Sequence, residues 1–142
     1  MKILLLGKNG QVGHELQRSL LPLGELVALD RRGADLADAR QLKAVLDAQS
    51  PDVIVNAAAY TAVDKAESDA DAARAINTDA VGVLAQYARL RDALLVHYST
   101  DYVFDGTKST PYETQDATNP QSVYGTTKRD GETAILDSGC RT

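Results

Sequence analysis

Apolar and polar positions in this chain alternate between two periods. Lys2 to Leu6 becomes a continuous apolar run after its first residue, the pattern of a strand buried on both faces. From Gln11 to Leu21 the apolar residues Val12, Leu16 and Leu20 return at helical spacing, and Pro22-Leu23-Gly24 breaks the run. Leu26-Val27-Ala28-Leu29 predicts a second strand, ending at Asp30. Ala39 to Ala48 predicts a short helix with Leu42, Val45 and Leu46 on one face, stopped by Ser50-Pro51. Asp52 to Val55 predicts a third strand that runs out into Asn56-Ala57-Ala58-Ala59. An alanine-rich segment from about Ser68 to Leu90 predicts the longest helix. Leu94 to Tyr98 predicts a fourth strand, with Ser99-Thr100-Asp101 at its carboxyl end. A polar loop containing Pro and Gly spans Asp105 to Gln121, and Ser122 to Leu136 predicts a last helix. At Gly139-Cys140-Arg141-Thr142 a further strand is expected to start.

Four strands separated by helices require right-handed crossovers and a parallel sheet covered on both faces. A length of 142 residues suits one domain with a real core. Composition adds mainly exclusions. No apolar run approaches the ~20 residues of a bilayer-spanning helix, so no membrane association is expected. Met1-Lys2-Ile3 enters a strand pattern directly, and no cleavable leader is expected. Cys140 is the single cysteine, which rules out an internal disulfide and fits a cytoplasmic location. A net charge of −5 without a basic cluster argues against nucleic acid.

Candidate chemistry begins in the turn after the first strand, Gly7-Lys8-Asn9-Gly10-Gln11-Val12-Gly13. In such a turn Gly7 permits the bend, Gly10 lets backbone approach a dinucleotide pyrophosphate, and Gly13 allows close packing of helix on strand. The following helix would offer its first amides and positive dipole end to the phosphates. Asp30, at the end of the second strand, is placed to accept hydrogen bonds from the adenosine ribose. Arg31 and Arg32 follow it and could instead neutralise a 2′-phosphate, so NADPH and NADH both remain open.

A second constellation lies late in the chain. Tyr124 and Lys128 are i and i+4 on one helix, so their side chains share a face. A lysine beside a phenol favours its ionised form and makes it a proton donor for a carbonyl under reduction. Thr100 lies at the carboxyl edge of the sheet, where open α/β folds build their sites, and its hydroxyl can bind the same carbonyl oxygen. Asp101 and Tyr102 share that loop as candidates for substrate contact, while Tyr98 suits either the core or the nicotinamide pocket. His14 and His97 have no metal-spaced partner and read as structural. The acid-rich stretch Asp64 to Asp69 reads as a cap on a helix start.

Together these residues resemble the extended short-chain dehydrogenase/reductase superfamily. Three segments narrow the match: Gly7 to Gly13 with Glu15-Leu16, Asn56 to Glu67, and Ser99-Thr100-Asp101-Tyr102-Val103-Phe104-Asp105-Gly106. They are similar to the dTDP-4-dehydrorhamnose reductase family. The resemblance implies a Rossmann-like, doubly wound α/β fold with helices on both faces. It also implies that 1–142 form the NAD(P)-binding domain with the catalytic Tyr/Lys helix, truncated before the later strands and substrate-binding part. The implied reaction is NADPH- or NADH-dependent reduction of the 4-keto group of dTDP-6-deoxy-L-lyxo-4-hexulose. Its product is dTDP-L-rhamnose for bacterial surface polysaccharide. Carried onto this sequence, Tyr124 is the proton donor, Lys128 its electrostatic partner and ribose ligand, and Thr100 the third catalytic residue. Gly10, Gln11 and Val12 hold the pyrophosphate, Asp30 the ribose, and Asp35-Leu36 flank the adenine. Ala57, Ala59, Tyr60, Thr61 and Tyr98 line the cofactor cleft, and Val63, Thr100, Asp101 and Tyr102 face the dTDP-linked 4-keto-6-deoxy sugar. Glu15 matches one carboxylate ligand of a Mg²⁺ ion at the homodimer interface of some members. Two other readings stay open, a nucleotide-sugar epimerase or dehydratase and a non-catalytic dinucleotide-binding subunit. The absence of an Asp-Glu pair beside Thr100 weighs against a dehydratase, and the intact triad weighs against the non-catalytic subunit.

Overall fold

Strand β1 (Lys2–Leu6) occupies the interior of the sheet because it is apolar on both faces. The structure, a computed structural model, describes residues 1–142. Strands β2 (Glu25–Leu29) and β3 (Val53–Asn56) flank β1, and β4 (Leu94–His97) lies beyond β3. All pairings are parallel, with Leu4 opposite both Val27 and Ile54. The order β2-β1-β3-β4 means that the chain leaves β1 to one side and returns on the other. The carboxyl ends of β1 and β3 therefore diverge at a topological switch point, where a crevice opens.

Alternate residues of β1 feed two apolar layers. Leu4 and Leu6 join Leu42 and Leu46 of α2 (Ala39–Gln49), Val81 and Leu84 of α5 (Ala80–Arg91), and Ile135 of α6 (Val123–Ser138). Ile3 and Leu5 pack with Val55 on the other face under Leu16 and Leu20 of α1 (Gln11–Leu20). Helices cover both faces, as expected for a doubly wound sheet, although one layer is much the larger.

Element ends follow local chemistry. Helix α1 stops at Leu20 because Leu21–Leu23 tighten into a 3₁₀ turn around Pro22. Asp38 caps α2 by accepting from the Arg40 and Gln41 amides at 2.9 and 3.1 Å. Ser122 caps α6 through its hydroxyl, 3.0 Å from the Gly125 N–H. The expected single helix from Ser68 to Leu90 is instead α4 (Ala70–Arg74), a wider π-type turn (Ala75–Asp79) and α5, with a separate short helix α3 (Val63–Ala66) before it. The expected further strand is represented by one parallel bridge, in which the Leu95 N–H donates to the Arg141 carbonyl at 2.8 Å.

Candidate active site

The glycine turn is positioned by backbone. The Gly7 and Lys8 N–H groups both donate to the Leu29 carbonyl, at 3.0 and 3.1 Å, which ties the turn to the end of β2. Gly7 has φ of +86°, and a β-carbon there would lie 2.7 Å from the Ala58 nitrogen. A β-carbon on Gly13 would stand 2.0 Å from the Gly7 carbonyl oxygen, so α1 can cross the turn this closely only with glycine. Gly10 differs. Its φ is −76°, and the nearest atom to a β-carbon would be the Gly7 oxygen at 3.5 Å, an ordinary contact. A side chain at Gly10 would therefore not conflict with the turn. Nothing in the fold demands glycine there, and what its absent side chain leaves is open space before the free amides of α1.

That space belongs to a cleft of about 820 Å³, within the usual range for a small-molecule site. It gathers Gly7, Gly10, Gln11, Val12, Arg31, Asp35, Leu36, Ala57, Ala59, Tyr60 and Thr61 from three connections at the carboxyl edge of the sheet. Ala34, Ala58, Ala62, Lys65 and Ile76 also line it and were not anticipated. Ala58 and Ala62 interleave with expected residues, whereas Ile76 reads as core in a helical pattern and gave no signal. Gly13 lies behind the cleft, packed on Gly7.

Asp30 lines an adjoining polar cleft of about 590 Å³ with Arg31, Arg32, Asp35 and Asp38. Its carboxylate accepts from the Arg32 and Gly33 amides at 3.0 and 3.3 Å and from Asn9 Nδ2 at 3.3 Å. These bonds, the Gly33 amide foremost, hold its carboxyl below the usual range. Arg31 is engaged with Asp35 through Nε at 3.1 Å. Arg32 lines the same cleft without an ion-pair partner, and the Lys8 charge also acts on Asp30.

On the other side of the sheet edge, Thr100 opens a 3₁₀ turn (Asp101–Val103), with Oγ1 accepting from the Tyr102 N–H at 3.3 Å and donating to Asp101 at 3.3 Å. The Tyr102 ring meets the Tyr124 ring edge-on, centroids 5.5 Å apart, so the expected substrate loop and the expected proton donor do come together. Lys128 is 3% exposed. No hydrogen bond joins it to Tyr124; its Nζ donates instead to the Tyr98 carbonyl at 2.5 Å. Burial lowers the Lys128 pKa, against the opposing pull of Glu132. The Tyr98 ring itself is half-exposed. Val63 begins α3 next to the cleft residue Ala62 without lining the cleft itself.

Three residues read as structural or solvating have more specific places. His97 lies with Nε2 3.5 Å from Lys128 Nζ, inside the site rather than merely in a strand. Burial, and then the Lys128 charge, push its pKa down to about 4. Glu67 caps no neighbouring helix; it accepts from the Val123 N–H at 2.8 Å and so fixes the start of α6. Asp69 accepts from the Tyr60 hydroxyl at 3.0 Å. Asn77, which carried no signal, sits fully buried in the π-type turn. It exchanges two hydrogen bonds with the Tyr60 backbone at 2.9 and 3.1 Å and donates to Thr127 at 3.2 Å. Glu15, the implied magnesium ligand, is paired with Arg18 at 3.3 Å. No group of three or more His, Cys, Asp or Glu residues surrounds it within this chain.

The sequence model of one protein family, described as the RmlD substrate binding domain, matches residues 1–142. The chain is 55% identical over 139 residues to the dTDP-4-dehydrorhamnose reductase of Burkholderia thailandensis, covering 98% of this chain and 47% of that protein. It is 50% identical over 142 residues to the enzyme of that name from Salmonella typhimurium, covering 97% and 48%. Among solved structures, a dTDP-4-dehydrorhamnose reductase from Clostridium acetobutylicum superposes with a TM-score of 0.92 at 40% identity, over 96% of this chain and 49% of that one. The Bacillus anthracis reductase, solved in complex with NADP, gives a TM-score of 0.92 at 33% identity, over 99% and 50%. The chain spans about half the length of the curated relatives it matches.

Proposed function

Because the chain belongs to the RmlD substrate binding domain family, we propose that it forms the dinucleotide-binding and proton-donating part of an NAD(P)H-dependent dTDP-4-dehydrorhamnose reductase. The proposed reaction reduces the 4-keto group of dTDP-6-deoxy-L-lyxo-4-hexulose to dTDP-L-rhamnose, in the cytoplasm, for surface polysaccharide. The observation that carries this reading is the contrast at the glycine turn. Gly7 and Gly13 are required by packing, whereas Gly10 is required by nothing inside the fold and fronts the cleft.

The amides of Gln11 and Val12 at the α1 N-terminus would hold the pyrophosphate, Asp30 the adenosine ribose, and Arg32 a 2′-phosphate. The cofactor, when bound, supplies a hydride to the sugar carbonyl carbon. Tyr124 hands its phenolic proton to the carbonyl oxygen, and the Thr100 hydroxyl orients that oxygen. Lys128, held by the Tyr98 carbonyl, supplies positive charge beneath the phenol and favours its ionised state after transfer. In relatives of twice this length the remaining half would complete the sugar pocket.

The test is Tyr124→Phe in a full-length protein, following nicotinamide oxidation with the dTDP-4-keto sugar. Turnover should fall ~10²-fold or more while NADPH affinity holds, the usual scale of general acid catalysis. Near-normal turnover would remove Tyr124 from the mechanism.

A further inference from the structure

Under the Thr100–Tyr124–Lys128 corner runs a polar chain to which the proposed reaction assigns no role. Asn56, 1% exposed, ends β3 and pairs in register with His97 at the end of β4. Backbone fixes which way the Asn56 amide points. The Ala58 N–H donates to Oδ1 at 3.2 Å, so Oδ1 must be on that side. Nδ2 is then the atom 3.1 Å from His97 Nδ1, and Nδ2 can only donate. His97 Nδ1 is therefore the bare acceptor, and the ring proton resides on Nε2. That N–H faces Lys128 Nζ at 3.5 Å. A fully protonated lysine also presents only donors, so two donors confront each other there. An imidazolium would be worse placed, since its Nδ1–H would meet the Asn56 NH₂ group.

We propose that His97 is a positioning residue. Locked by Asn56 as the Nε2–H tautomer, it turns the Lys128 ammonium hydrogens away from itself, towards the Tyr98 carbonyl and the cleft. The proposal rests on reading Lys128 as the working cation of the site. It follows that Lys128 should release a proton more readily beside His97 than without it, and that His97 should stay neutral at working pH. Burial and then the Lys128 charge lower the His97 pKa, in keeping with a neutral ring beside the lysine.

The other charges near Lys128 are accounted for. On α6, Glu132 lies one turn on, bonded to Ser99, and raises the lysine's pKa, while Tyr124 lies one turn back. The 3₁₀ turn brings Asp101, bonded to Thr100. Arg74 of α4 pairs with Asp130 at 3.6 Å, Lys65 of α3 with Asp69 at 3.8 Å, and Glu67 with the Val123 N–H. Asp64 of α3 and Asp79 of the π-type turn are exposed, and Arg89 and Arg91 lie in the last turn of α5. His97 is thus the titratable side chain set against the lysine amine.

Heteronuclear NMR on the isotope-labelled 142-residue chain tests this without cofactor or sugar, so its outcome is independent of the reductase reading. The wild-type spectrum should show the Nε2–H tautomer at His97, unprotonated down to about pH 5. His97→Leu should move the Lys128 amine titration upward by on the order of one pH unit. Asn56→Asp keeps the size but offers Nδ1 a carboxylate. It should reverse the tautomer, let Lys128 donate to Nε2, and raise the lysine titration as well. An Nδ1–H tautomer in the wild type, or protonation of His97 near its ordinary value of 6.5, would overturn the proposal. So would a Lys128 titration unmoved in whichever variant folds. If neither variant folds, the wild-type tautomer decides alone.

Discussion

Between Gly7 and Gly13 the candidate site is made of backbone, while between Thr100 and Lys128 it is made of side chains standing on other side chains. In the turn, position comes from two carbonyls: Leu29 accepts from the Gly7 and Lys8 amides, and the Gly7 oxygen lies against Gly13. At the helix, Lys128 is steered by His97, which is held by Asn56. Tyr124 precedes Thr127, which is bonded to Asn77, and α6 begins where Glu67 reaches Val123. A backbone site tolerates change at any residue whose β-carbon meets nothing and fails where it meets backbone. A side-chain site spreads its vulnerability over buried polar residues remote in sequence, because each one deleted leaves a partner unsatisfied.

The largest expected effect breaks the turn from within. Gly13→Ala puts a β-carbon 2.0 Å from a carbonyl oxygen that cannot rotate away, and the strain should cost roughly 3 kcal/mol or more of stability. Gly10→Ala, three residues earlier, should stay within about 1 kcal/mol of wild type, since alanine fits its φ and only the N-cap preference is lost. The same alanine should still weaken NADPH binding at least about tenfold, or ~1.4 kcal/mol. Urea unfolding and calorimetric titration on both variants read the contrast. Equal stability of the two would erase the distinction between packing glycine and cleft glycine.

Next in size is the side-chain half. Asn77→Ala leaves the Tyr60 N–H and carbonyl without their partners and removes one bond to Thr127. Unsatisfied groups of this kind should cost about 2–4 kcal/mol in total. Because Tyr60 lines the cleft, dinucleotide affinity should fall with stability, unlike in Gly10→Ala, where only affinity falls. A loss below about 0.5 kcal/mol, the scale of an ordinary surface change, would mean that the network does not hold the two walls together.

The two halves also differ in how far they could be read from sequence. The glycine turn is local: strand, spaced glycines and helix occur within a dozen residues, and each has its own signature. Tyr124 and Lys128 are legible for the same reason, as an i, i+4 pair behind a capping Ser122. The supports of that pair are not. Asn77 meets Thr127 across 50 residues, Glu67 meets Val123 across 56, and His97 meets Lys128 across 31. An asparagine in an alanine-rich helix carries no mark that the helix will widen into a π-type turn there, since propensity differs too little to show it. An acid-rich stretch reads as a local cap because a local cap is what such stretches usually make. What sequence hides is the choice of partner in space.

The smallest expected effect separates the halves by pH. His97 has a folded pKa of about 4 against 6.5 when free, so between those values the unfolded chain binds more protons than the folded one. Stability should therefore fall as pH drops through 6.5 and stop falling on this account below about 4. Allowing for water at the half-buried ring, the loss should be about 1–2 kcal/mol. The carboxylates of the glycine side, Asp30 and Asp35, shift the other way: their folded pKa values lie below 3.8. Their contribution is present above 3.8 and is lost only as pH falls through their lowered folded values, below the histidine window. Urea unfolding at pH 7 and near pH 4.5 should thus show a decline that belongs to the lysine side alone. His97→Leu should flatten that decline while leaving the drop in stronger acid intact. If the variant keeps the full decline, the proton uptake lies elsewhere, and the two walls of the cleft cannot be told apart by pH.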